Sequence, residues 1–178
     1  MQVVYLGISG VLHPSKSAYT FVVGRTPLHD GRHEFEAVQV LEEALTPFPD
    51  AHIVLTSTLP RLHGLPWVLE RLGPSLSDRV MGFAFEDLTT KVGDGPRQVL
   101  TAEDYWRCSK AQIVQKHVAW LKPSAWIAVD DEGSQWPADI ATQNLVWTHP
   151  CRGLMDRAAQ DRLHTVLLGN FRLYLGVT

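Results

Sequence analysis

Cysteine is nearly absent, with Cys108 and Cys151 the two in 178 residues. So placed, they make neither a disulfide framework nor a metal-ligand spacing, and buried reduced thiols are the expectation. Long apolar runs are missing as well. No stretch approaches the ~20 residues needed to cross a bilayer, which excludes a transmembrane helix. The N-terminus has no basic region followed by an apolar core, so a cytoplasmic protein without membrane contact is expected. Nor is there an excess of positive charge. Lys and Arg number 16 against 19 Asp and Glu, a net charge of −3 that argues against a non-specific grip on nucleic acid and leaves room only for a local basic patch. Gly93-Asp94-Gly95-Pro96 lacks the lysine and spacing of a P-loop, and no histidine pair has HExxH spacing.

What is present reads as an ordinary globular chain, 45% hydrophobic and 20% charged, of a length that suits one domain over 1–178. Residues 2–8, β-branched and aromatic without charge, read as a buried strand. Ile53 to Leu55, 79–85, 125–129 and 144–147 read as four more. Between 13 and 31, Phe21-Val22-Val23 suggests a short hairpin among prolines and glycines. Phe35, Val38, Leu41 and Leu45 have helical spacing within 32–45, stopped by Pro47 and Pro49. Pro66 to Leu72 predicts a short helix ended by Gly73-Pro74. Residues 86–106 are polar and aperiodic, an irregular insertion. Ser109 and Gln112 form a capping box opening a helix to Leu121 with Ile113, Val114, His117, Val118 and Leu121 on one face. A last helix spans 154–168, with Met155, Ala159, Leu163 and Val166 inward and Gly169 as its cap.

Strands alternating with helices predict a doubly wound α/β fold: a mainly parallel five-stranded sheet with helices on both faces. In such sheets ligands lie beyond the carboxyl ends of the strands. Three polar clusters fall there, Gly7 to Gly10, Thr56 to Thr58 and Asp130-Asp131-Glu132, which argues for a single site. The six tryptophans fall mostly within strand and helix patterns and read as core rather than a base-stacking surface; Trp67 and Trp106 fit either role.

The first cluster also carries a family resemblance. Val3 to Leu6 followed by Gly7-Ile8-Ser9-Gly10-Val11-Leu12-His13-Pro14 resembles the first motif of the haloacid dehalogenase (HAD) superfamily, a Rossmannoid fold. Members usually have Asp-x-Asp-Gly there, a nucleophilic and an acid/base aspartate, where this chain has Gly7 and Ser9. The second HAD motif, a phosphate-holding Ser or Thr after a strand, matches Thr56 or Ser57, both registers being open. The third, a Lys or Arg that neutralises the phosphate, matches Lys110 near a helix N-terminus, where anions are favoured. The fourth, an acidic pair that holds Mg²⁺, matches Asp130-Asp131. Leu145-Val146-Trp147-Thr148 followed by Gly153-Leu154 is similar to the closing segment of a small branch that includes phosphatase-like domains of bacterial RNA-repair proteins. The resemblance runs from about Val3 to Leu154, with no large cap domain, which by analogy implies an open site.

Phosphoaspartate chemistry needs a carboxylate in line with phosphorus and an acid for the leaving group. Gly7 has no side chain, and Ser9 is a poor acid. Losing one member of such a unit forfeits most of the acceleration. A Mg²⁺ site without the Gly7 carboxylate would be weak or absent, held by Asp130, Asp131 and the Ser9 carbonyl. Ser9 as a substitute nucleophile would need a base, and His13 is the nearest in sequence; four residues across a turn do not by themselves join them, and beside Pro14 a turn histidine is the simpler reading. The first expectation is thus a catalytically degenerate HAD-like module that binds phosphate, a phosphorylated ligand or a protein partner. Two alternatives stand beside it. One is an unconventional Mg²⁺-dependent phosphoric-ester hydrolase using Ser9 or a metal-bound water, the other a structural or oligomerisation domain.

Overall fold

A computed structural model describes residues 1–15, 34–85 and 106–173. The described strands are β1 (Gln2–Leu6), β2 (Ala51–Leu55), β3 (Val80–Phe83), β4 (Ala125–Asp130) and β5 (Leu145–Trp147). They form one sheet in the order β3-β2-β1-β4-β5, and every pairing is parallel rather than mainly so. Val3, Val4, Tyr5 and Leu6 of β1 are all essentially buried. Successive strand residues point to opposite faces, so both faces of the central strand are covered, as a parallel sheet requires.

The helices are α1 (Val38–Leu45), α2 (Leu59–His63), α3 (Leu65–Ser77), α4 (Lys110–Leu121), α5 (Ala138–Gln143) and α6 (Arg157–Asn170). From β1 the chain steps outward through β2 to β3, then returns past β1 to β4 and β5. Right-handed crossovers in opposite directions put α1 and α3 on one face and α4 and α5 on the other. α6 returns to pack on β4, β5 and α1. The reversal lies between β1 and β4, where a doubly wound sheet opens a crevice beyond its carboxyl ends. Ile53, Leu55, Leu41 and Ile113 are among the fully buried side chains of the core, each contributing about 1.5–3 kcal/mol of burial.

Several local expectations change. α2 is five residues and α5 six, too short to show a helical period, and α5 buries none of its residues. Gly73 breaks helical geometry as expected, but Pro74 starts a further turn to Ser77 instead of ending the helix, because proline suits a first helical position. The last helix begins at Arg157, where the Asp156 carboxylate accepts from the Ala158 N–H, and runs through Gly169 to Asn170. Met155 therefore precedes it and is exposed, not inward. Trp136 is core, but Trp147 and Trp106 are exposed, at 64% and 74%. The suggested hairpin at Phe21–Val23, residues 32 and 33, and 86–105 of the insertion lie outside the described residues. No described helix is long and apolar enough to cross a membrane.

Candidate functional site

Register brings the first site residues level. Leu6 pairs with Leu55 on one side and Val129 on the other, so the next residues, Gly7, Thr56 and Asp130, share one height at the carboxyl edge. The ladder continues one step further: the Gly7 N–H donates to Val129 O at 2.9 Å and the Thr56 N–H to Leu6 O at 2.9 Å. Position 7 is tightly enclosed. A Cβ there would stand 2.7 Å from Asp130 Oδ2 and 3.2 Å from Val11 Cγ2. The turn that follows is closed by Leu12 N–H on Ile8 O and Gly10 N–H on His13 O, at 2.8 and 2.7 Å. Gly10 has a φ of 75°, which a residue with a Cβ rarely adopts, and Asp131 packs where that Cβ would be.

This closed turn does what residue spacing alone does not. It puts Ser9 Oγ 3.3 Å from His13 Nε2, with His13 buried. The turn is clamped from β5's side, where the buried Thr148 hydroxyl donates to Gly10 O at 2.7 Å and the Leu154 N–H to Val11 O at 2.8 Å.

Asp130 ends β4 and is almost wholly buried. Its Oδ1 accepts the Glu132 N–H at 3.0 Å, and Oδ2 accepts the Thr56 hydroxyl at 3.4 Å. Burial raises its pKa, against the lowering effects of Lys110, the Glu132 N–H and Thr56. Asp131 is pushed up to about 6, first by burial and then by the charge of Asp130. Two indoles hold the acidic loop from outside: Trp136 Nε1–H donates to Glu132 O at 2.8 Å and Trp147 Nε1–H to Asp131 O at 3.0 Å.

Lys110 is the first residue of α4. The Ser109 hydroxyl accepts from Gln112 N–H while the Gln112 side chain accepts from Ser109 N–H, so the expected capping box is present. The Lys110 N–H donates to Glu132 Oε1 at 3.3 Å, and its ammonium donates to Thr56 O. Helix α4, β2 and the acidic loop are thereby joined at one point. The two hydroxyl candidates also separate. Thr56 is turned to Asp130, whereas Ser57 Oγ accepts the Leu59 N–H at 3.1 Å and faces the opening.

The result is a cleft of about 340 Å³ lined by Gly7, Ser9, His13, Ser57, Lys110, Asp130 and Asp131 among others. Every site residue expected from sequence faces it except Thr56, which lies behind Asp130. A family model described as the HAD domain in Swiss Army Knife RNA repair proteins matches residues 3–159. The chain belongs to that HAD family. No curated protein and no solved structure matches it.

HAD domains generally use Mg²⁺, and the donor chemistry here can be set against that need. Mg²⁺ prefers oxygen ligands and is commonly held by one or two carboxylates together with a substrate's phosphate. Asp130 and Asp131 are adjacent carboxylates on the cleft wall and fit that arrangement. Among the described residues no three His, Cys, Asp or Glu groups gather to hold an ion. Sequence reasoning did not assign roles to Thr148, Trp136 and Trp147. Trp147 and Thr148 entered only as part of the closing Leu145-Val146-Trp147-Thr148 segment, and Trp136 only by its place shortly after the acidic pair.

Proposed function

We propose that this HAD-like, phosphatase-type module is a non-catalytic receptor for a phosphorylated ligand. The description of its family, which concerns RNA repair, supports a phosphorylated RNA end as that ligand. The carrying observation is that Asp130 Oδ2 lies 2.7 Å from where a Cβ on Gly7 would be. The place of the attacking carboxylate is not merely vacated; another acid stands against it. What remains suits binding. Lys110 supplies positive charge, Ser57 a hydroxyl, and the closed turn after β1 a backbone edge. Asp130 and Asp131 would hold a Mg²⁺ that offsets their charge against the phosphate.

Calorimetric titration of inorganic phosphate, with Mg²⁺ and with chelator, tests this alongside turnover of an aryl phosphate. Saturable, Mg²⁺-assisted binding weakened at least tenfold (about 1.4 kcal/mol) by Lys110→Ala, without turnover, is the expected result. Metal-dependent turnover abolished by Asp130→Ala overturns it.

One contact favours a second reading. Ser9 Oγ and His13 Nε2, 3.3 Å apart on the cleft wall, have the disposition of a hydroxyl nucleophile and its base. In that case Ser9→Ala and His13→Ala would each abolish phosphate-ester turnover.

A further inference from the structure

The cleft has an aromatic side that the phosphate reading leaves unused. His63 ends α2, and Gly64, with a φ of 89°, turns the chain directly into α3. That turn lays the His63 ring on Trp67, centroids 4.3 Å apart and planes 22° from parallel. Trp67 is held in place from other directions. The Arg71 guanidinium lies 3.7 Å from its ring centroid, and Phe35 meets it edge-on at 5.8 Å. Phe35 in turn meets His13 at 5.2 Å, so a continuous aromatic column runs from the Ser9–His13 turn outward. Phe35 has a φ of 64°, uncommon for an aromatic residue, and the column is built around it. Trp67 is half-buried and Phe35 buried, while His63 is exposed. His63 and Trp67 line the same cleft as Ser57 and Lys110.

We infer that His63, backed by Trp67, is a stacking platform for a nucleobase, so that the cleft takes a nucleotide rather than phosphate alone. This rests on the phosphate reading above for its other half, with the phosphate at Ser57 and Lys110. The spacing suits it. Ser57 Oγ accepts the N–H of Leu59, the first residue of α2, and at about 1.5 Å of rise per residue His63 stands about 6 Å along the helix from Leu59, the scale of a ribose. A flat ring on a fixed ring can stack any base, because every base has a π-face.

Calorimetry on the full chain with adenosine 5′-monophosphate, ribose 5-phosphate, inorganic phosphate and adenosine tests the platform. The monophosphate should bind tighter than ribose 5-phosphate by between about fivefold and about 150-fold, the range of one base–aromatic stack. His63→Ala should abolish that preference while sparing ribose 5-phosphate, and His63→Tyr should restore it. Equal affinity of the two phosphates in the native chain, or a preference that survives His63→Ala, overturns the platform and leaves the phosphate reading standing. His63-dependent binding of adenosine, with no binding of inorganic phosphate or ribose 5-phosphate, supports the platform and overturns the phosphate reading instead.

Discussion

The carboxylate of Asp130 occupies the room that a side chain on Gly7 would need, its Oδ2 2.7 Å from the position of that missing Cβ. Two motifs on different strands are thus mutually adjusted: where the first gives up its side chain, the second closes the gap. Gly7→Ala is therefore expected to destabilise the fold by about 1–3 kcal/mol through overpacking. In an Asp130→Ala background the cost should shrink, leaving a coupling of at least about 0.5 kcal/mol. Urea unfolding of the four proteins of the cycle measures it; strict additivity would mean that the two positions do not compete for space.

The same packing governs any attempt to restore the family's nucleophile. Gly7→Asp combined with Ser9→Asp places a Cβ against a buried, hydrogen-bonded carboxylate, so aryl-phosphate turnover should stay at the level of the native chain unless Asp130 is displaced. A strong gain in turnover would show that Asp130 moves aside readily.

Thr148 tests the clamp on the turn after β1. Its hydroxyl donates to buried Gly10 O at 2.7 Å. Thr148→Val keeps the shape and removes the donor, at an expected loss of about 1–3 kcal/mol. Hydrogen exchange at Gly10 to Leu12 should accelerate more than exchange elsewhere in β1; uniform acceleration would indicate general destabilisation instead.

A buried pair between β1 and α4 sets a pH response. Tyr5 Oη and His117 Nδ1 are 2.9 Å apart. Burial lowers His117 from its ordinary 6.5 to about 4 and raises Tyr5 above its usual value. Between those two His117 values the unfolded chain binds the proton that the folded chain refuses. Stability from this group is thus complete above pH 6.5, declines as the pH falls toward 4, and is flat below. The loss amounts to about 3 kcal/mol. Unfolding midpoints of the native chain and His117→Gln, measured across this window, should diverge in slope; parallel curves would exclude the histidine as the cause.

Much of the fold was legible because its signals are local. The capping box at Ser109 and Gln112 places the start of α4 within a residue, and uninterrupted apolar runs such as Ala125 to Val129 mark strands buried on both faces. Short elements escaped, since five or six residues in α2 and α5 carry less than two turns of period. Met155 was misplaced because an apolar residue just before a helix, one turn ahead of buried Ala159, looks like its first inward position. Trp147 was misread for a related reason: strand alternation puts it on the same face as buried Leu145, but does not say that it ends β5 beyond the cover that buries Leu145 and Val146.

The candidate site divides in the same way. Sequence alone determined which groups stand at strand ends, since a hydrophobic strand that stops at Gly7, Thr56 or Asp130 must leave the sheet there. Its chemistry also follows from sequence, because no folding supplies a carboxylate to a glycine. Only the tertiary structure decided how those ends meet. The parallel register sets Gly7 against Asp130, the closed turn brings Ser9 to His13, and Gly64 folds His63 back over Trp67. Distances between separate strands and helices depend on packing of the whole core, and no local pattern encodes them.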